Sequence, residues 1–146
     1  GRWRYGIRPA IVRKPFSFLY KVMFKAVQVV AGVELPCEVT VGKNFVIDHF
    51  GGIVISGYAR FGDNCRIRTG VVVGLSRVED PCAPVFGNNV DIGAGAKVLG
   101  RVTVGDNVLI GANSVVPRDV PSDSIAVGLP AVVKPRRPPA PPSQAS

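Results

Sequence analysis

Apolar residues return at every sixth position through the middle of this chain. They stand at Val41 and Ile47, then at Ile55, Phe61, Ile67 and Val73, then at Phe86, Ile92, Val98, Val104, Ile110 and Val116. Glycine follows seven of these twelve positions, as Gly42, Gly62, Gly74, Gly87, Gly93, Gly105 and Gly111. A second, usually small residue often stands two places earlier, as in Val39, Cys65, Val71, Val90, Ala96, Val102 and Val108. Neither the helical period nor simple strand alternation resets every six residues. Six is the period of a parallel β-helix, in which each hexapeptide forms one side of a triangular coil. The branched residue points inward, and the glycine after it is expected to supply a tight corner, often at positive φ. The fold class is therefore an all-β solenoid whose stability comes from neighbour-on-neighbour stacking.

Two places break the beat. The step from Ile47 to Ile55 is eight residues, and that from Val73 to Phe86 is thirteen. In a solenoid, insertions become loops, commonly on the binding face. The first break contains VIDHFGGIV, residues 46–54, and within it His49, the only histidine of the chain.

Charge and composition bound what surrounds the repeats. A length of 146 residues suits one domain. The net charge is +8, but Arg2, Arg4, Arg8, Arg13, Lys14, Lys21 and Lys25 all precede the first acidic residue, Glu34. Lys134, Arg136 and Arg137 add charge near the other end, and the middle is close to neutral. A nucleic-acid binder more often carries basic residues through its fold, so this distribution argues against nucleic acid as a partner. Cys37, Cys65 and Cys82 lack any C-x-x-C spacing, which suits reduced thiols in the cytoplasm. No secretory leader is evident, and no apolar run reaches the ~18 residues that span a bilayer. Residues 1–33 read as a basic, apolar arm, 34–134 as the repeat domain, and 135–146 as a disordered proline-rich tail.

The arm contains FSFLYKVMFKAVQVV, residues 16–30, with polar residues at Ser17, Lys21, Lys25 and Gln28. Those steps place one narrow polar stripe on a helix that is otherwise apolar. Two readings stay open: packing against the prism or a neighbouring subunit, or lying on an anionic membrane as a peripheral contact.

From about Glu34 to Lys134 the sequence resembles the serine acetyltransferases. The residues that carry the resemblance are VIDHFGGIVISGYARFGDNC, NNVDIGAGAKVLGRVTVGDNVLIGANSVV and IAVGLPAVV. The resemblance implies a left-handed parallel β-helix, acetyl-CoA as co-substrate, a homotrimer with active sites between subunits, and no metal. It puts His49 at the position of the catalytic base. The family's partner aspartate, fifteen residues earlier, falls on Glu34. A second family histidine, which helps hold serine, has no counterpart in the loop EDPCAP, where Ala83 stands near its place. The family's large N-terminal helical domain and C-terminal isoleucine are likewise without counterparts. The basic helix and the H-F-G-G-I-V segment look like the shorter acetyltransferases found with polysaccharide biosynthesis.

An imidazole titrating near 6.5 can take a hydroxyl proton, and a carboxylate on its other nitrogen fixes the tautomer. Asp48 is the other candidate orienter, but neighbours on a strand point to opposite faces. A zinc site would need three or four ligands, which excludes a β-helix carbonic anhydrase for a chain with one histidine. By resemblance, backbone groups of Ala94 and Ala112 contact the pantetheine arm. Lys97 and Lys134 are candidates for a CoA phosphate. Direct attack on the thioester requires no nucleophilic cysteine. The resemblance implies serine or a related small hydroxyl compound as acceptor; the alternatives are a sugar hydroxyl or a non-catalytic scaffold.

Overall fold

The structure, a computed structural model, describes residues 10–77, 79 and 82–136, with side-chain surroundings given from Ser17 onward. Arg2, Arg4 and Arg8, the side chains of Arg13 and Lys14, and the expected tail over 137–146 lie outside that description. Among the described residues one helix, α1 (Ala10–Ala31), leads into fourteen short strands.

The strands are shared among three sheets. The first holds β1 (Val33–Glu34), β3 (Ile53–Ile55), β6 (Val72–Gly74), β9 (Lys97–Leu99) and β12 (Val115–Val116). The second holds β4 (Arg60–Phe61), β7 (Val85–Phe86) and β10 (Thr103–Val104). The third holds β2 (Val46–Ile47), β5 (Arg66–Ile67), β8 (Asp91–Ile92), β11 (Leu109–Ile110), β13 (Ser124–Gly128) and β14 (Ala131–Pro135). Every pairing is parallel except the closing β13–β14 hairpin. From β3 to β12 the chain visits the three sheets in fixed rotation, and bridges at Thr40 and Val120 mark the second side in the first and last coils, so it winds as a three-sided stack of coils.

Register puts like on like inside the stack. Ile47, Ile67, Ile92, Ile110 and Ala126 form one column, and Ile55, Val73, Val98 and Val116 another. Phe61 stacks on Phe86 with ring centroids 4.6 Å apart. The small residues two places earlier (Val39, Cys65, Val71, Val90, Ala96, Val102 and Val108) are buried as well. Val41 departs from the pattern: it is 44% exposed on the opening coil, which joins the next through the Thr40–Arg60 bridge and the Gly42 N–H bond to the Phe61 carbonyl at 2.9 Å.

The seven glycines that follow the apolar positions do not supply positive φ, contrary to expectation. For six of them the constraint is close contact: a Cβ on Gly62 would lie 2.5 Å from the Gly87 carbonyl oxygen, and one on Gly93 would lie 2.6 Å from the Ala112 nitrogen, whereas one on Gly74 would meet nothing nearer than the Leu99 side chain at 3.8 Å. Positive φ falls instead mainly on two columns at different edges. Between the second and third sheets it is carried by Asn44, Asn64, Asn89, Asn107 and Asp123, at φ 55 to 57°. Asn and Asp tolerate that region better than other side chains. Each Asn side chain also donates to the residue one coil on: Asn44 to Asn64 at 2.9 Å, Asn64 to Asn89 at 3.1 Å, Asn89 to Asn107 at 3.0 Å and Asn107 to Asp123 at 2.9 Å. Between the third and first sheets the column is Gly52, Gly70, Gly95 and Asn113, with Gly32 above it.

Helix α1 packs on the top of the stack through one side. The Tyr20 hydroxyl accepts the Cys37 N–H at 3.3 Å, and Ser17, Tyr20, Phe24 and Gln28 are half-buried. Of the expected polar stripe, Lys21 and Lys25 are exposed while Ser17 and Gln28 turn inward. The outer side presents Phe18, Leu19, Val22, Met23, Val29 and Val30, the last 83% exposed.

The asparagine column gives a direct stability test. Asn89→Ala removes two rungs and puts a strained φ on alanine, an expected loss of about 2 kcal/mol. Asn89→Gly removes the same rungs but tolerates the φ, so its urea-unfolding loss should be about 1 kcal/mol smaller. Equal losses for the two variants would show that φ at this edge is not under selection by side-chain type.

Candidate active site

His49 lies in a bend between β2 and β3, where the chain passes from the third sheet to the first. It is exposed. The bend is two residues longer than a repeat, and Gly51 and Gly52 carry φ of 111 and 64° that let it turn. Below it the Gly51 carbonyl accepts both the Gly70 N–H and the Thr69 hydroxyl, each at 2.8 Å.

Thr69, Ala94 and Ala112 follow on the same edge, one coil after another. The Thr69 carbonyl accepts the Gly95 N–H at 2.9 Å, and the Ala94 carbonyl accepts the Asn113 N–H at 2.8 Å. At one strand spacing per coil, Ala94 and Ala112 lie ~10 and ~15 Å below the level of His49. Ala94 is half-buried and Ala112 exposed. Their backbone N–H groups donate to no other atom among the described residues. The edge is nearly free of side chains: a Cβ on Gly52 would meet the Gly70 Cα at 3.6 Å, and one on Gly70 the Gly95 Cα at 3.4 Å. A narrow, flexible chain carrying amides fits such an edge, since it can approach the backbone and find unpaired donors there.

Glu34 occupies the outer face of β1, in register with Val54 of β3. It is exposed and lines a shallow depression with Gln28, Gly32, Val33, Ile53 and Val54. No hydrogen bond joins Glu34 to His49 among the described residues. Asp48 lies in the bend rather than on β2, so strand alternation does not fix which way it faces. Its carboxylate is engaged elsewhere, 3.4 Å from an Arg66 guanidinium nitrogen and 3.6 Å from Arg68 Nε. Arg68 in turn grips Asp91 through both terminal nitrogens, NH2 at 3.2 Å. That hydrogen bond raises the guanidinium pKa above its ordinary value. The sequence reading missed this chain of charges, although Arg66 and Arg68 stood in view at alternate positions beside the break.

Lys97 is exposed on the outer face of β9, and its Nζ donates to the Gly95 carbonyl at 3.1 Å, beside the glycine edge. Lys134 is exposed on β14, at the far end of the third sheet opposite Ile125. The two lysines therefore sit on different sheets. Among the described residues, no group of three or more His, Cys, Asp or Glu side chains forms a metal-ligand set, and no helix is long and apolar enough to cross a membrane.

The stack of six-residue coils agrees with a family match: residues 83–118 match the family described as bacterial transferase hexapeptide (six repeats). The chain is 38% identical over 125 residues to a serine acetyltransferase of Helicobacter pylori, covering 85% of this chain and 73% of that protein. It is 41% identical over 129 residues to the serine acetyltransferase of Synechococcus elongatus, covering 88% of this chain but only 50% of that one. The solved structure of soybean serine acetyltransferase complexed with serine superposes with a TM-score of 0.74 at 33% identity, over 84% of this chain and 49% of that chain. The Neisseria gonorrhoeae enzyme does so with 0.76 at 36%, over 82% and 47%. The chain belongs to the serine acetyltransferase family, a family of acyltransferases.

Cys65 is fully buried, and its thiol is pushed above the ordinary cysteine range by that burial. Because the thiolate is the reactive form, a raised pKa lowers its population at pH 8. In a Cys37→Ser/Cys82→Ser variant, Cys65 should stay unlabelled by iodoacetamide at pH 8 until urea unfolds the chain. Rapid labelling of the folded variant would contradict the packing described.

Proposed function

We propose that this chain is an acetyl-CoA-dependent O-acetyltransferase of the serine acetyltransferase type, wound as a left-handed β-helix and assembled as a homotrimer with active sites between neighbouring prisms. The observation that carries the reading is one shared edge: His49 at its top, with the backbone of Ala94 and Ala112 below, in a member of this family. Acetyl-CoA supplies the activated acyl group as a thioester. The N–H groups of Ala94 and Ala112 bind its pantetheine amides, and Lys97 and Lys134 are the proposed phosphate contacts, Lys97 the better supported because it stands beside the edge.

His49 takes the proton of the acceptor hydroxyl as its oxygen attacks the thioester carbonyl. The carbon–sulfur bond then breaks, and the imidazolium returns the proton to the departing sulfur. Glu34 is the proposed orienter of the imidazole. Its hydrogen bond to His49 is absent in this structure, which is common for catalytic contacts without substrate. The pairing of Asp48 with two arginines supports Glu34 over Asp48.

The relatives' names make serine the first acceptor to test. A sugar hydroxyl is the second reading, favoured by Ala83 in the loop EDPCAP where the family has its second histidine. The exposed apolar side of α1 supports contact with a neighbouring subunit, with an anionic membrane as the rival partner. Three free thiols suit a cytoplasmic setting.

A CoA-release assay with serine and a panel of sugars tests the proposal. His49→Ala should lower kcat by roughly 10²-fold or more while CoA binding persists. Glu34→Gln should lower it by ~10-fold or more. Near-normal turnover of His49→Ala would overturn the assignment of the base. CoA binding with no release for any acceptor would favour a non-catalytic scaffold.

A further inference from the structure

The bend that carries His49 is one of the two breaks in the repeat and contains two consecutive positive-φ glycines, Gly51 and Gly52. Such backbone is inexpensive to move. Something must hold it if an imidazole there is to meet a substrate held on the edge below. Backbone contacts do part of this: the Asp48 N–H donates to the Ile67 carbonyl at 3.0 Å, and the Gly51 carbonyl takes its two bonds from Thr69 and Gly70. The only charged anchor of the bend among the described residues is the Asp48 carboxylate, on the residue before His49.

That anchor crosses three coils. Asp48 belongs to the coil of β2, Arg68 follows β5 one coil on, and Asp91 lies on β8 one coil further. Arg68 spends its two terminal nitrogens on Asp91 and leaves Nε toward Asp48. The side chains of Arg68, Asp48 and Asp91 are only 29, 26 and 32% exposed, whereas Arg66, the other partner of Asp48, is 50% exposed. A planar guanidinium with bidentate geometry fixes direction as well as distance, which a lysine ammonium cannot do for both carboxylates.

We propose that Arg68 is a positioning residue for His49: it ties the bend, through Asp48, to Asp91 on the rigid third sheet and so fixes where the imidazole stands above the acetyl-CoA edge. The proposal rests on His49 being the base. Arg68 touches no reacting group and acts through Asp48 alone. Loss of the tie should therefore reduce the fraction of molecules with a well-placed base while leaving the Ala94–Ala112 edge intact.

Steady-state kinetics on the full chain, with serine or whichever acceptor supports CoA release, read this out. Arg68→Met should lower kcat by roughly 10- to 10²-fold, the scale of a misplaced catalytic group, with KM for acetyl-CoA changed by less than ~2-fold. Asp91→Asn, further from the reacting atoms, should lower kcat in the same sense. The double variant should be no worse than Arg68→Met by more than ~2-fold, because both changes cut one tie. Arg68→Lys should recover only part of the loss. Thermal midpoints verify folding; if Arg68→Met does not fold, Arg68→Lys and Asp91→Asn decide the matter by the same kcat-against-KM split. Wild-type kcat in Arg68→Met, a loss confined to KM, or double-variant losses that multiply would overturn the proposal. His49→Ala, run alongside, separates the two failures. An active His49→Ala sinks the base assignment itself, while an inactive one with a fully active Arg68→Met sinks only the tie.

Discussion

Everything in this molecule depends on successive coils lying directly on one another, backbone to backbone, at one strand spacing. Between-coil bonds of 2.8 to 3.0 Å recur down the stack, from Asn64 N–H to the Lys43 carbonyl through to Asp123 N–H to the Asp106 carbonyl. Such closeness is possible only where corners carry either no side chain or one that itself repeats the stacking. Glycine meets the first condition, at Gly62 and Gly93. Asparagine meets the second, because its amide can donate to the coil after it and accept from the coil before it. Burial of the isoleucine and valine columns supplies the driving force, and the corners set the register in which it is realised.

The two edges answer that constraint differently, and the proposed site rests on the difference. The asparagine edge is occupied by its own side-chain ladder. The glycine edge is left bare, with the N–H groups of Ala94 and Ala112 unpaired among the described residues. The candidate site lies along an open edge of the solenoid. A bare edge interrupted by an enlarged bend is how the fold gains both a groove and a chemically distinct side chain above it.

Much of this could be read from the residues in order. The six-residue beat predicted the coils and their inward columns, and the eight-residue step marked the bend of His49 before any coordinates. The helix was expected over residues 16–30 and spans Ala10–Ala31. Other features were hidden for physical reasons. Glycine's two uses, positive φ and close approach, look identical in a sequence, so the glycines after the apolar positions were assigned the wrong one. The asparagines repeat visibly, in GKN, GDN, GNN and GDN, but their period matches a whole coil rather than one side. The Asp48–Arg68–Asp91 chain joins residues 20 and 23 apart, and only the coil register brings them together. The helix's orientation was also beyond the pattern, since its half-polar side faces the stack and its apolar side faces outward.

The central claim is that one edge of the prism organises both substrates around His49. A crystal structure of the chain with bound CoA tests it most directly. The account predicts pantetheine amides within hydrogen-bonding distance of the Ala94 and Ala112 backbones, and the CoA sulfur beside a His49 imidazole across a subunit boundary. CoA lying on the asparagine edge, or with its sulfur remote from every His49, would contradict it.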